Sequence, residues 1–159
     1  MPNIQHQLLI EATPEKIYQA ITTEQDLSAW WTSPTEANGI LRFAFGDGYF
    51  KEMKITTMEP FSLVKWTCTK GADEWVGTNI SFELISGDKA SLLHAHPEMQ
   101  GQLEQQKSDT GTLLIFHHDD WKGYTPMFAE CNYTWGRFLV SLKLFCETGK
   151  GRPWPNQHR

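Results

Sequence analysis

The sequence predicts an α+β domain in which an antiparallel sheet curves around one long C-terminal helix. Three observations point there. Phe128, Cys131, Trp135, Phe138, Leu142 and Phe145 recur at alternating steps of three and four, which is one face of a helix. Upstream, most of the chain breaks into short apolar–polar alternations bounded by glycine and proline, the pattern of strands and turns. After the first of these alternations come two short amphipathic segments. A sheet folded over an aromatic-rich helix can enclose a cavity, and a ligand site would lie there.

The elements follow in order. Ile4 to Ile10 is the first strand. Thr13 caps a helix opened by Pro14 and Glu15, since proline suits the first helical position and an acid suits the positive helix end. Ile17, Ala20 and Ile21 form its apolar face. Thr23 starts a second helix, Glu24 to Trp30, with Leu27 and Trp30 on one side. Thr32 to Gly39 is turn-rich. Gly39 to Phe45 is a strand, Gly46-Asp47-Gly48 a turn, and Tyr49 to Met58 the paired strand, closed by Pro60. Phe61 to Thr69 places Val64, Trp66 and Cys68 on one face. A turn at Gly71 to Glu74 leads into Val76 to Ile85, where Ile80, Phe82 and Leu84 alternate with Ser81 and Glu83.

Thr112 to His118 is the last strand. Leu114, Phe116 and His118 share one face, and Leu113 and Ile115 the other, so this strand is expected to be covered on both sides. Ser86 to Thr110 is too long for a tight hairpin. It is predicted to be an insertion on a hairpin at about residues 87–110, with a short exposed helix around Pro97 to Lys107 weakened by Gly101. Asp88 to His96 echoes Asp109 to His117, as a local duplication, a hairpin extension or chance. The last helix runs from Met127 to Thr148 and stops at Gly149.

The totals bound the function. A chain of 159 residues makes a single domain with a real core. Net charge is −5 with no basic run, which argues against a nucleic-acid surface. No apolar run reaches membrane-spanning length, and the start shows no signal peptide, so a cytoplasmic protein is expected. The three cysteines, Cys68, Cys131 and Cys146, are far apart and lack metal or redox spacing, and read as buried free thiols. Seven tryptophans supply wide apolar surfaces, suited to a core or to a cavity wall.

Two ends of the chain carry a family resemblance. Ala12-Thr13-Pro14-Glu15-Lys16-Ile17-Tyr18-Gln19-Ala20-Ile21 with Trp30-Trp31 resembles the opening of START-like (SRPBCC) domains. Trp135-Gly136-Arg137-Phe138-Leu139-Val140-Ser141-Leu142-Lys143 with Glu147-Thr148-Gly149-Lys150-Gly151 resembles their closing helix. Gly111-Thr112-Leu113-Leu114 with His118 and Trp121 is similar to the branch named after the activator of heat-shock-protein-90 ATPase. The resemblance spans nearly the whole chain except about residues 87–110. It implies a helix-grip fold, with the sheet curled around the last helix and two short helices closing one end. It implies one of three activities: ligand binding, cyclase or hydrolase chemistry, or a chaperone-linked role. A fold of this kind does not by itself choose among them.

Candidate site residues are those expected to face the cavity: Trp30, Trp31, Trp66, Phe82, Phe116, His118, Trp121, Trp135 and Leu139. His118 is the one candidate for acid–base work, and a hydrogen-bonded core histidine is the plain alternative. Catalysis would need a partner such as Glu52, Glu83 or Asp120 in reach. In His117-His118-Asp119-Asp120, adjacent strand residues point to opposite faces, so no metal site is predicted there. His94 and His96 would share a strand face with nothing to complete a site. Gly136, in mid-helix, points to a close approach by a strand or to room for a ligand. Arg137 is expected toward solvent or a sheet edge. No cofactor is predicted. The expected partner is a small apolar or amphipathic molecule; a cavity-histidine enzyme and a chaperone-linked interaction module are the alternatives. Strand edges leave homodimerisation open.

Overall fold

Seven strands form one antiparallel sheet in the computed structural model, which describes residues 2–159. The strands are β1 (Ile4–Ile10), β2 (Pro34–Ala37), β3 (Ile40–Ala44), β4 (Phe50–Glu59), β5 (Leu63–Lys70), β6 (Asn79–Asp88) and β7 (Thr110–Asp119). Their order across the sheet is β1-β7-β6-β5-β4-β3-β2, so the first and last strands pair and every other neighbour is sequential. Helices α1 (Pro14–Thr22) and α2 (Glu24–Trp30) follow β1. The hydroxyls of Thr13 and Thr23 accept from the backbone amides of Lys16 and Asp26, so each caps its helix as expected. β2 lies in the stretch read from sequence as turn-rich, where no strand was expected. It is four residues long and pairs with β3.

The long helix α5 (Pro126–Thr148) lies on the concave face of the sheet. Thr125 caps its start, and Gly149 ends it in the left-handed conformation. Trp135, Phe138, Leu139, Leu142 and Cys146 of α5 are buried against Phe43, Met53, Val64, Trp66, Ile80, Phe82, Leu114 and Phe116 of the sheet. Ile17, Ile21, Leu27 and Trp30 of α1 and α2 close the same core. Register shifts in β4–β5 pairing, between Glu52 and Met53 and between Ile55 and Thr57, bend the sheet at this point. This is the helix-grip arrangement expected from the sequence.

The segment between β6 and β7 sits on the hairpin these two strands form, whose pairing ends at Asp88 and Thr110, and it folds into α3 (Lys89–Ala95), a 3-10 turn (Pro97–Met99) and α4 (Gln100–Gln105). Leu92, Met99 and Leu103 are buried there against Leu9 and Leu113 on the outer face of the sheet. This small second core is why Leu113 and Leu114, on opposite faces of β7, are both buried. The echo of Asp88–His96 in Asp109–His117 has no structural counterpart, because one copy is mostly helix and the other strand. His94 sits on α3 and not on a strand. Among the described residues, no helix is long and apolar enough to cross a membrane.

Gly136 faces β1, where an added Cβ would lie 3.8 Å from His6 Cε1, an ordinary contact. Space is therefore not what the glycine secures. Gly136→Ala is expected to stabilise the fold by up to about 1 kcal/mol through helix propensity, read as a higher urea midpoint with an unchanged slope.

Candidate functional site

The interior that the sequence left open for a ligand is filled. Trp31 is the hub. Its ring stacks on Trp66 (centroids 6.0 Å apart, planes 5° apart) and lies 4.3 Å from Phe43 and 5.0 Å from Trp135. Trp135 in turn lies 4.5 Å from Phe116, and Phe82 packs edge-on against both Trp66 and Phe116. Trp30 is fully buried, and its indole N–H donates to the Ala20 carbonyl at 2.7 Å. Of the predicted site residues, Trp30, Trp66, Phe82, Phe116 and Leu139 are core. Their large side chains interdigitate and leave no room between sheet and helix at that level.

His118 is also core, and its hydrogen bonds define its state. The Trp135 indole N–H donates to His118 Nδ1 at 3.0 Å. An indole nitrogen only donates, so Nδ1 is the bare nitrogen and Nε2 carries the proton. Nε2 then donates to Thr78 Oγ1 at 2.8 Å, and Thr78 donates to the Trp75 carbonyl at 2.6 Å. The chain ends on a carbonyl and never reaches a carboxylate. Burial first, and the charge of Lys51 second, lower the His118 pKa from 6.5 to about 3. The imidazole is neutral, with both nitrogens occupied, and the carboxylates named as partners from sequence do not bond to it. Trp121 packs at 4.7 Å against the same imidazole, with its indole nitrogen buried and unpartnered.

An open cleft of about 200 Å³ lies at one end of the sheet–helix sandwich. Its aromatic lining is Trp31, Phe45, Trp75, Trp135, Phe138 and Trp154. Trp31 and Trp135 are the two predicted site residues that the structure brings here. Lys51, Glu130, Cys131, Thr134 and Gln157 supply its polar and thiol groups. Cys131 is half-buried, and burial first holds its thiol above the usual value, with a hydrogen bond from Trp75 acting against that shift.

Lys51 was not singled out from sequence, although a signal was present. It has the same strand parity as Met53 and pairs across to Phe43, both buried, so it points inward. Its ammonium lies 3.3 Å from the centroid of the Trp75 ring and 4.8 Å from that of Phe45. Burial, its dominant perturbation, lowers its pKa from 10.5 to about 8, so it is still charged at neutral pH.

The tail after α5 completes the cleft. Trp154 N–H donates to the Trp31 carbonyl at 2.6 Å, and Arg137 Nε donates to the Gln157 carbonyl at 3.2 Å. Ser141 Oγ donates to the Trp30 carbonyl at 2.8 Å and accepts from Arg152 N–H at 2.6 Å, which ties α2, α5 and the tail together. Gly151 sits in that junction. A Cβ there would lie 2.7 Å from Ala29 O and 3.0 Å from Ser141 O, so only glycine fits. Sequence reasoning reached Gly151 through the family resemblance and passed over the residues after it. Their one cue is Trp154 between two prolines after a capped helix.

Among the described residues, no three histidine, cysteine, aspartate or glutamate side chains gather in a metal-binding group. Comparison with known proteins places the whole architecture. The chain is similar to the Aha1 dimer from Colwellia psychrerythraea, a solution structure, at 34% sequence identity and a TM-score of 0.73, over 95% of this chain and 100% of that one. A conserved protein of unknown function from Enterococcus faecalis matches at 20% identity and a TM-score of 0.65, over 92% and 72% of the two chains. A protein from Staphylococcus saprophyticus matches at 16% identity and a TM-score of 0.66, over 96% and 97%. The last two show the fold alone. No curated protein matches the chain. Residues 11–146 match the family described as Activator of Hsp90 ATPase homolog 1-like protein, and with the helix-grip fold and the Colwellia relative the chain belongs to that family.

Proposed function

We propose that this protein binds a small, flat, largely apolar molecule in the cleft between β4, the N-terminal half of α5 and the C-terminal tail. One observation carries the reading: six aromatic side chains converge on a recess of about 200 Å³ that the packing elsewhere in the core does not leave. Concave, aromatic-lined recesses with a few polar groups are the usual form of small-molecule sites. Indole N–H signals in a titration with single-ring and two-ring aromatics test it. The Trp31, Trp75, Trp135 and Trp154 signals are expected to shift, and those of Trp30, Trp66 and Trp121, which do not line the cleft, to stay still. Equal movement of all seven, or of none, would count against the site.

The family match supports a second reading, a chaperone-linked interaction module. The bacterial relative is described as a dimer, and β1 and β2 are the two edges of the sheet here. Light scattering after gel filtration reports the dimer. An Hsp90 ATPase assay with and without this protein tests the interaction, and an unchanged rate together with no complex would exclude it.

A further inference from the structure

We infer that the cleft selects a monoanionic aromatic ligand, an aromatic carboxylate with a hydroxyl or N–H group, held by the Lys51 ammonium and the Gln157 amide. This rests on the binding proposed above and names the chemistry of the ligand.

Lys51 is the anomaly that points to an anion. Like most lysines and arginines of the chain, Lys51 takes part in no ion pair among the described residues, but it is set apart by its place, withdrawn into the cleft lining. Its ammonium is held between aromatic rings at an inward-facing strand position. Withdrawing an ammonium from water without a counter-charge is costly, and the Trp75 face returns only part of that cost. The same withdrawal strengthens its attraction for an incoming anion, because little water screens it. Its pKa, lowered by burial to about 8, leaves it charged at neutral pH.

The other polar groups narrow the class. Gln157 lines the cleft, and its Oε1 is buried without a hydrogen-bond partner, so a turn of the amide would let it accept from a ligand hydroxyl or N–H. Glu130 also lines the cleft, with Thr134 Oγ1 donating to it at 2.5 Å. One ammonium suits a single negative charge, and among the described residues the lining contains no arginine and no second lysine to balance a phosphate dianion. The volume sets the size. A cavity of about 150 Å³ takes benzene, so about 200 Å³ takes one substituted ring.

The probes are 4-hydroxybenzoate, benzoate and 4-hydroxybenzamide, titrated against the wild type, Lys51→Met and Gln157→Leu by tryptophan emission. Wild type is expected to bind 4-hydroxybenzoate at least about tenfold more tightly than the neutral amide. Lys51→Met should bring that ratio to one or below while keeping the amide affinity. Gln157→Leu should remove the advantage of 4-hydroxybenzoate over benzoate. Circular dichroism verifies folding, and Lys51→Gln takes the place of Lys51→Met if the latter does not fold. Wild type binding the amide as tightly as the acid would overturn the inference and leave the cleft as a binding site. A ratio that survives the loss of Lys51 would overturn it as well. No binding of any probe would remove both the inference and the binding function beneath it.

Discussion

His118→Ala is expected to destabilise the protein by about 4 kcal/mol. Removing a buried ring leaves a cavity, and the Trp135 indole N–H loses its acceptor inside the core. Urea unfolding at neutral pH measures the loss, and a change below about 1 kcal/mol would contradict the packing and bonding described for this side chain. His118→Asn keeps an acceptor near the Nδ1 position and should recover part of the stability. A histidine kept for catalysis would behave in the opposite way, with turnover lost and the fold intact. The hydrogen-bond chain from Trp135 through His118 to Thr78 and the Trp75 carbonyl therefore predicts a fold defect before any chemical one.

The same residue sets an acid sensitivity. Its folded pKa, about 3, lies below the ordinary 6.5, so between these values the unfolded chain binds a proton that the native state refuses. The neutral imidazole's contribution is complete above about pH 6.5 and is lost as the pH falls toward 3. The slope approaches about 1.4 kcal/mol per pH unit in the middle of that window. Glu11, whose pKa is lowered from 4.5 first by the Ser108 amide, adds its own loss only at lower pH. Tm measured from pH 6.5 down to 4.5 thus reports mainly on His118, and His118→Ala should flatten the curve there.

Trp31→Ala is expected to cost a similar amount, about 4 kcal/mol. Six aromatic rings lie within 6.3 Å of the Trp31 ring, from Phe43 at 4.3 Å to Phe138 at 6.3 Å. Truncation joins the emptied space to the cleft, because Trp31 is both core and cleft wall. Indole should then raise the Tm of the variant more than that of the wild type, by refilling the space it was cut from. Equal shifts in both proteins would mean that the core had closed over the gap.

The sequence made the scaffold legible for a simple reason. Helix and strand periods are local, and at Phe128–Phe145, Ile80–Leu84 and Leu114–His118 the apolar residues repeat without ambiguity. The caps at Thr13, Thr23 and Gly149 were readable for the same reason. β2 was missed because four residues containing a proline carry too little pattern. The segment between β6 and β7 was placed, with a helix expected around Pro97 to Lys107, but its packing was not legible, since Leu92, Met99 and Leu103 become a buried face only when Leu9 and Leu113 arrive from distant strands.

The site was the least legible part. Periodicity assigns a side chain to the inner face but does not say whether that face is packed or open. Trp30, Trp66, Phe82, Phe116, His118 and Leu139 all point inward and are packed solid, while Trp31 and Trp135 reach the edge of that packing and line the cleft. Among the cleft's other members, Lys51, Trp75, Trp154 and Gln157 come from a strand, a turn and the tail that no local pattern joins. By itself, then, the sequence determined the helix-grip scaffold and its inward faces, because those depend on short-range alternation and capping. Only the tertiary structure decided that the interior is full and that the recess lies at its end beside an unpaired lysine, because void volume and charge pairing arise from residues far apart in the chain and close together in space.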